Sequence, residues 1–420
     1  MRWPWRNATS RVRPSPRLGG VTAQPHREAE PEHLVGIGLA LAAGVIYWFT
    51  GPWGAGGDQF VPLADAFLHG RLSIPVDRPW MELVPVPDGS GAQYSPFPPV
   101  PALTLMPVIA VLGLFPGVGE LSGNVMSAVV GAINVALAWY LLAGIGVALR
   151  PRLVIVIGFA FTTHWWVAGM AGTHHYAAVV AAFFLLLALN LAVRRRLPAL
   201  AGLALGLAAG SRIPTGLALP LLLALFADRW RPSRAHLQLL LGLAVPALLF
   251  AAYNVARFGS PFDTGYAHIP SGDAGGLVTD EPWFSHGLIS PFYIPRHMYA
   301  IFIQGPVLTG TFPYLKPSLT GLSLTLSAPF LFWALKARGP LVAITWLSVE
   351  LILLPDIMHG SWGFAQFGYR FILDAVPLLL LLLGWAYRER ASWSLVASVG
   401  VGVAVHTWGI LVWNLYGPAG

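Results

Sequence analysis

Apolar residues run through this chain in continuous blocks rather than alternating with polar ones. Leu, Ala, Val, Ile and Gly dominate 34–53, 122–149, 153–171, 175–193, 197–210, 213–227, 237–256, 319–335, 340–355, 371–387 and 394–413. A helix needs about 20 apolar residues to cross the hydrocarbon layer, so these blocks predict roughly ten crossings. The ~10-residue alternation of a membrane barrel is absent, and in lipid only helices and closed barrels satisfy their own backbone. The expected architecture is therefore an all-α polytopic bundle of roughly 10–12 transmembrane helices. Segment 97–115 is apolar but fits badly, because a full crossing there would move Arg150 and Arg194 to the wrong side. A short, tilted or re-entrant piece is expected instead. The 197–227 block has basic loops on both flanks and needs an even number of crossings. Two short helices turning at Gly210-Ser211-Arg212-Ile213-Pro214 satisfy that, with Pro214 opening the second. Gly202, Gly206 and Gly210, spaced by four, predict close approach of this helix to a neighbour.

Charge then orients the bundle. Of 420 residues 56% are hydrophobic and only 10% charged, with a net charge of +7 and no cysteine. That excludes a disulfide framework and a thiolate metal site. The excess of basic residues sits in the first 33 residues and in short inter-block loops: Arg150/Arg152, Arg194–Arg196, Arg229/Arg231/Arg234, Lys336/Arg338 and Arg388/Arg390. This is the pattern of membrane orientation and not of nucleic-acid binding, and it places those loops and the N-terminus in the cytoplasm. Residues 1–33 read as a disordered basic tail and 34–420 as a single transmembrane catalytic domain. The run at 34–49 lacks a small-residue cleavage site behind it and reads as a retained first helix of a plasma-membrane protein. The sequon at Asn7 falls on the cytoplasmic tail and reads as chance.

Three segments then lie outside, about 54–96, 258–318 and 356–370. With Asp374 just beyond, they hold eleven of the eighteen acids, from Asp58, Asp65, Asp77 and Glu82 to Asp356. Ten prolines between Pro52 and Pro101 forbid a long helix there, although Leu63–Leu72 suits a short amphipathic one. Long ordered loops in a compact protein usually carry function, so the chemistry is expected outside. No nucleotide-binding glycine loop, His-Glu-x-x-His or Gly-x-Ser-x-Gly occurs. What remains is a carboxylate at the membrane edge, an arginine near the same surface, and aromatic loops. Transfer of a sugar from a lipid phosphate needs those parts: a base for the attacking hydroxyl, and cations for the departing phosphate.

Several short motifs, in order, support that chemistry. They are Asp58-Gln59 with Ala64, Leu68, Gly70 and Ile74-Pro75; Tyr94-Ser95-Pro96-Phe97-Pro98-Pro99; the glycine helix ending at Arg212-Ile213-Pro214; Tyr253-Asn254 with Phe258-Gly259-Ser260-Pro261 and Gly265-Tyr266; and Gly368–Pro377. Together they resemble the GT-C membrane glycosyltransferases of the protein-mannosyltransferase and aminoarabinose-transferase type. The resemblance implies a polyprenyl-phosphate sugar donor, hexosyl or pentosyl transfer with inversion, and a glycan, lipid or protein acceptor in the cell envelope. It implies Asp58 as the catalytic base. That family often carries Asp-Glu at this point, and Gln59 departs from it. Some of its branches use a divalent metal, a question this sequence leaves open. A lipid-linked-sugar flippase or other transporter, and a non-catalytic envelope assembly protein, remain as alternatives.

Each candidate residue also has an ordinary structural role to set beside the chemical one. Asp58 can be a loop or cap acid. Asp65, seven residues on, assists or binds acceptor, or else is solvated. Arg212 ligates phosphate or pairs with an external carboxylate, while Arg370 and Asp374, four apart, bind substrate or pair with each other. His174 and His175 occupy a short turn, where they hold donor phosphate or sugar, bind a metal, or simply line the interface. Tyr94, His359, Trp362 and Tyr369 stack on a sugar or belong to the interfacial aromatic belt. Glu350, inside an apolar block, is expected to be buried and either functional or protonated and bonded to a neighbouring helix.

Overall fold

In the computed structural model residues 30–51, 58–75, 82–114, 123–169, 172–227, 232–271 and 276–419 are described. Most of the expected basic tail, the sequon, Asp77 and Asp273 lie outside them. The chain opens with α1 (Glu30–Thr50) and the short amphipathic α2 (Phe60–Leu68), which buries Phe60, Leu63, Ala64 and Ala66. A two-residue hairpin, β1 (Val84–Pro85) with β2 (Gln93–Tyr94), leads to α3 (Val100–Leu112). Then come α4 (Gly123–Gly144), α5 (Leu149–Phe159) and α6 (Trp165–Gly169), joined by one π-helical turn at Ala160–His164. The carbonyl of Ala160 in that turn accepts a 2.8 Å bond from the Tyr47 hydroxyl of α1. Next are α7 (Thr173–Val193), α8 (Pro198–Ala209), a 3-10 turn at Ile213–Ala218 running into α9 (Leu219–Phe226), and α10 (Arg234–Phe258). An irregular segment with α11 (Ile294–Phe302) and the hairpin β3 (Val307–Leu308) and β4 (Leu315–Lys316) follows. The last elements are α12 (Leu324–Ser327), a 3-10 stretch Pro329–Lys336, α13 (Val342–Ile357), α14 (Val376–Ala386) and α15 (Trp393–Tyr416).

Among the described residues six helical stretches are long and apolar enough to cross a membrane: Glu32–Thr50, Val125–Gly144, Leu149–Gly169, Thr173–Val193, Arg234–Phe258 and Trp393–Tyr416. Val100–Leu112, Pro198–Ala209, Ile213–Phe226 and Val376–Ala386 are apolar but shorter. The structure is that of a mostly helical, polytopic membrane protein. The basic loops gather at one end of the bundle. There Arg152 meets Glu32 at 3.4 Å, Arg194 donates to the Tyr140 carbonyl, Arg195 to that of Phe226, and Ala148 N–H bonds the Arg388 carbonyl. Val100 N–H bonds the Gly210 carbonyl at the opposite end, the end at which α4 must begin if Gly144 is to reach the basic one. The short helix α3 therefore starts from that same end, and the chain between it and α4 lies outside the described residues.

The glycine stripe of α8 packs on α10. A methyl group at Gly202 would lie 1.9 Å from the Leu239 carbonyl oxygen, and one at Gly242 1.9 Å from that of Ala199. The two backbones touch, as small residues in membrane helices allow. Two expectations are corrected. The block 319–335 is not one helix: Leu322 N–H bonds the Phe367 carbonyl, and Pro329, which has no N–H to donate, separates α12 from the 3-10 stretch. Glu350 is not buried but exposed on the outer side of α13, flanked by exposed Leu347 and Leu354. An all-apolar helix gives no polar face from which its inward side can be read.

Candidate active site

Asp58 sits just before α2, where its Oδ1 accepts the Phe60 N–H at 2.8 Å and fixes the start of that helix. This is the local Asx turn that aspartate makes with the backbone two residues on. Its Oδ2 is buried and has no hydrogen-bond partner among the described residues. Burial pushes the Asp58 carboxyl above its usual range, against the opposing pull of the Phe60 and Val61 amides. The next residue anchors the loop. Gln59 is 2% exposed; its N–H donates to Thr173 Oγ1 at 3.0 Å and its Oε1 accepts from Ser95 Oγ at 2.8 Å. Asp58 is thereby held beside the N-terminus of α7, the Thr173-His174-His175 turn.

The two histidines of that turn point to different neighbours. His174 Nε2 lies 3.1 Å from Glu82 Oε2, while the His175 ring packs edge-on against Trp166 with its Nε2 buried and without a hydrogen-bond partner among the described residues. Burial raises Glu82, but the bond and charge of His174, with Arg370 and His359 adding, outweigh it, and the net shift is downward. Among the described residues no group of three or more His, Asp and Glu side chains is arranged to hold a metal ion. Glu82 is a site residue the sequence reading missed. It was one acid among eleven, and its left-handed backbone (φ 52°) carries no glycine or asparagine signal.

Arg212 and Arg370, equivalent on paper, differ sharply. Arg212 Nε donates to both carboxylate oxygens of Asp374, at 2.6 and 2.7 Å, and its Nη2 is 3.9 Å from Asp356. Asp374 and Asp356 are buried, at 2% and 6% exposure. The expected pairing of Arg370 with Asp374 is therefore corrected: Asp374 is taken by Arg212. Arg370 has no carboxylate within 4 Å among the described residues. Its Nη1 donates weakly to the Phe364 carbonyl at 3.3 Å, and its Nε is buried without a partner. Burial, followed by repulsion from Arg212, pushes Arg370 down to about 10, still fully charged at neutral pH.

Aromatic rings close around this pair. The Tyr369 hydroxyl bonds His297 Nδ1 at 2.7 Å, and His297 Nε2 meets the His359 carbonyl at 2.9 Å. A carbonyl only accepts, so Nε2 carries the proton and the Tyr369 hydroxyl donates to Nδ1. His359 stands between Tyr266 and Phe284, at ring separations of 5.7 and 5.5 Å, and burial pushes it down to about 4. It is neutral at physiological pH.

The structure thus gathers Asp58, His174, His175, Arg212, Tyr369, Arg370 and Asp374 at the end of the bundle opposite the basic loops. Asp65 and Tyr94 stand apart. Asp65 is half-exposed and faces Arg71 at 3.8 Å and His69 at 3.5 Å. Tyr94 lies on β2 with its ring against Phe258. A small cleft between α1, α6 and α15, walled by Thr50, Trp165, Trp166, Phe367 and Trp413, is lined by no charged side chain, and its Trp166 is the ring that packs against His175.

No protein-family model matches this chain, and no curated protein does. Among solved structures it is similar to ArnT from Cupriavidus metallidurans bound to undecaprenyl phosphate, with a TM-score of 0.49 and 15% identity over 90% of this chain. It is also similar to the oligosaccharyltransferase of Archaeoglobus fulgidus in the apo form, with a TM-score of 0.44 and 14% identity over 92% of this chain. The matches cover 64% and 56% of those two proteins. With both scores below 0.5, the functional reading rests on the residues of this chain.

Proposed function

We propose that this chain is an integral membrane glycosyltransferase of the GT-C type, moving a sugar from a polyprenyl-phosphate donor to an acceptor on the extracytoplasmic side. The observation that carries the reading is Asp58: a buried carboxylate with one oxygen tied to the backbone and the other unpartnered among the described residues, at the same end of the bundle as Arg370, which has no carboxylate within 4 Å among those residues. A base and an unneutralised cation are the two charges that the reaction needs. The order of the sequence motifs, from Asp58-Gln59 to Gly368–Pro377, supports the same assignment.

In this mechanism Asp58 Oδ2 takes the proton of the acceptor hydroxyl. The acceptor oxygen forms a bond to the anomeric carbon as the bond from that carbon to the phosphate oxygen breaks. A single displacement of this kind inverts the anomeric centre. The electron pair leaves with polyprenyl phosphate, whose charge Arg370 receives, with Tyr266 and His359 flanking the sugar. Arg212 is already paired with Asp374, so it acts mainly by holding the segment that presents Arg370. His174, bonded to Glu82, offers its other ring nitrogen to the donor phosphate or sugar.

Purified protein in lipid nanodiscs, incubated with a panel of polyprenyl-phosphate sugars, is expected to release or transfer sugar from at least one. No turnover of any donor, from protein shown to be folded, overturns the reading. Arg370→Gln is expected to weaken donor binding about tenfold or more, consistent with loss of a charge-assisted bond in a site shielded from water; unchanged donor affinity removes its phosphate role.

A further inference from the structure

Arg257 ends α10 as a buried cation, 7% exposed, and no carboxylate lies within 4 Å of it among the described residues. Its guanidinium lies over the rings of Tyr253 at 3.7 Å and Phe258 at 4.6 Å. Nη2 donates to Asn254 Oδ1 at 2.9 Å, and Asn254 in turn donates to the Pro261 carbonyl at 3.1 Å. The Tyr253-Asn254 and Phe258–Pro261 motif thus builds a socket for one side chain. What the socket aims at is the first loop: Arg257 Nη1 donates to the backbone carbonyl of Ser95. Ser95 is fully buried, and its hydroxyl donates to Gln59 Oε1 at 2.8 Å. Gln59 is the residue after Asp58, and its own N–H is fixed to Thr173.

We propose that Arg257 is a positioning residue which, through Ser95 and Gln59, sets the place of the Asp58 carboxylate. The inference rests on the reading of Asp58 as the base. A planar guanidinium meets two acceptors at once, here the Ser95 carbonyl and Asn254 Oδ1, while its face stacks on two rings. A lysine ammonium reproduces neither geometry. The tether also gives Gln59 a role where the resembling family often has a second acid. The side chain is an acceptor for Ser95 and leaves the chemistry to Asp58. A base moved by about 1 Å loses on the order of 10²-fold in rate, which is the scale on which a tether of this kind acts.

The test compares Arg257→Lys, Arg257→Gln and Ser95→Ala with the unaltered chain, each as full-length protein in nanodiscs and each rate divided by the amount of monodisperse folded protein. The expected result is a kcat about 10- to 100-fold lower with the donor KM within about twofold. In an Asp58→Asn background the same changes are expected to cost nothing further, because they act through Asp58. Amide hydrogen exchange over residues 59–63 is expected to quicken while α15 is unchanged. A normal kcat, a loss confined to KM, or full additivity with Asp58→Asn overturns the proposal. If the Arg257 variants do not fold, Ser95→Ala decides, since it keeps the carbonyl that Arg257 uses. If the unaltered chain turns over no donor, the glycosyltransferase reading falls, and unchanged exchange over 59–63 in the Ser95 variant removes the tether as well.

Discussion

Replacing Asp58 by Asn separates the base from every other role of this side chain. The Asn side-chain oxygen can still accept the Phe60 N–H that Asp58 Oδ1 now accepts at 2.8 Å, so the start of α2 is preserved. What changes is the second oxygen, which is buried and without a partner among the described residues, and which is replaced by an amide nitrogen unable to take a proton. A positioned general base contributes about 10²–10⁴-fold, or roughly 3–5.5 kcal/mol of barrier, so kcat is expected to fall by that factor with little change in donor KM. The pH profile gives a second reading. Only the ionised form is a base, and burial raises the Asp58 carboxyl above its usual range. The rate of the unaltered chain is therefore expected to fall on acidification at a pH above the ordinary carboxylate value of about 3.9, and this limb is expected to vanish in Asp58→Asn. The assay is transfer of radiolabelled sugar from a polyprenyl-phosphate donor, per mole of folded protein in nanodiscs, from pH 4 to 9. A variant with turnover within about tenfold of the unaltered chain, or with the acid limb intact, refutes the assignment.

Three further outcomes follow from the packing and the charges. Arg212→Ala leaves Asp374 and Asp356 buried without their cation and is expected to cost about 3–5 kcal/mol of stability; thermal unfolding in detergent checks this, and an unchanged midpoint refutes the structural role of the pair. Gly242→Ala places a methyl 1.9 Å from the Ala199 carbonyl oxygen and is expected to cost about 1–3 kcal/mol through forced separation of α8 and α10, read by the same unfolding measurement. Glu82 has a lowered folded-state carboxyl. The stability it contributes is present above the unfolded carboxylate value and lost as pH falls through the lower folded one. Glu82→Gln is thus expected to flatten the fall of unfolding temperature on the acid side, and an identical acid slope in both proteins counts against the Glu82–His174 pair.

Much of the bundle was readable along the chain because its signals are local. Continuous apolar runs marked the helices, and loops rich in arginine marked one end. The misfit of 97–115 pointed to a piece that differs from the long crossings, and Val100–Leu112 is one of the shorter apolar helices. The Gly202–Gly206–Gly210 stripe announced a close helix contact, although its counterpart Gly242 carried no comparable spacing. The site was only partly readable. Asp58, His174, Arg212, Arg370 and Asp374 could be placed at one end from charge and order alone, but which acid meets which base could not.

The sequence alone determined that this is a polytopic helical membrane protein with its acids and interrupted loops at one end, because hydrophobic run length and charge between runs suffice for that. Only the tertiary structure decided the partnerships. Arg212 meets Asp374 across 162 positions, His174 meets Glu82 across 92, and Arg257 reaches Ser95 across 162. Arg212, Asp374, Glu82 and Ser95 sit in loops and short turns between the helices, and the packing of distant segments, which no local pattern records, brings each to its partner. In a helix apolar on every side no hydrophobic periodicity reports which side faces inward, so the outward place of Glu350 could not be read from the chain. Nor could the chain tell that Arg370, and not Arg212, is the cation without a carboxylate within 4 Å among the described residues.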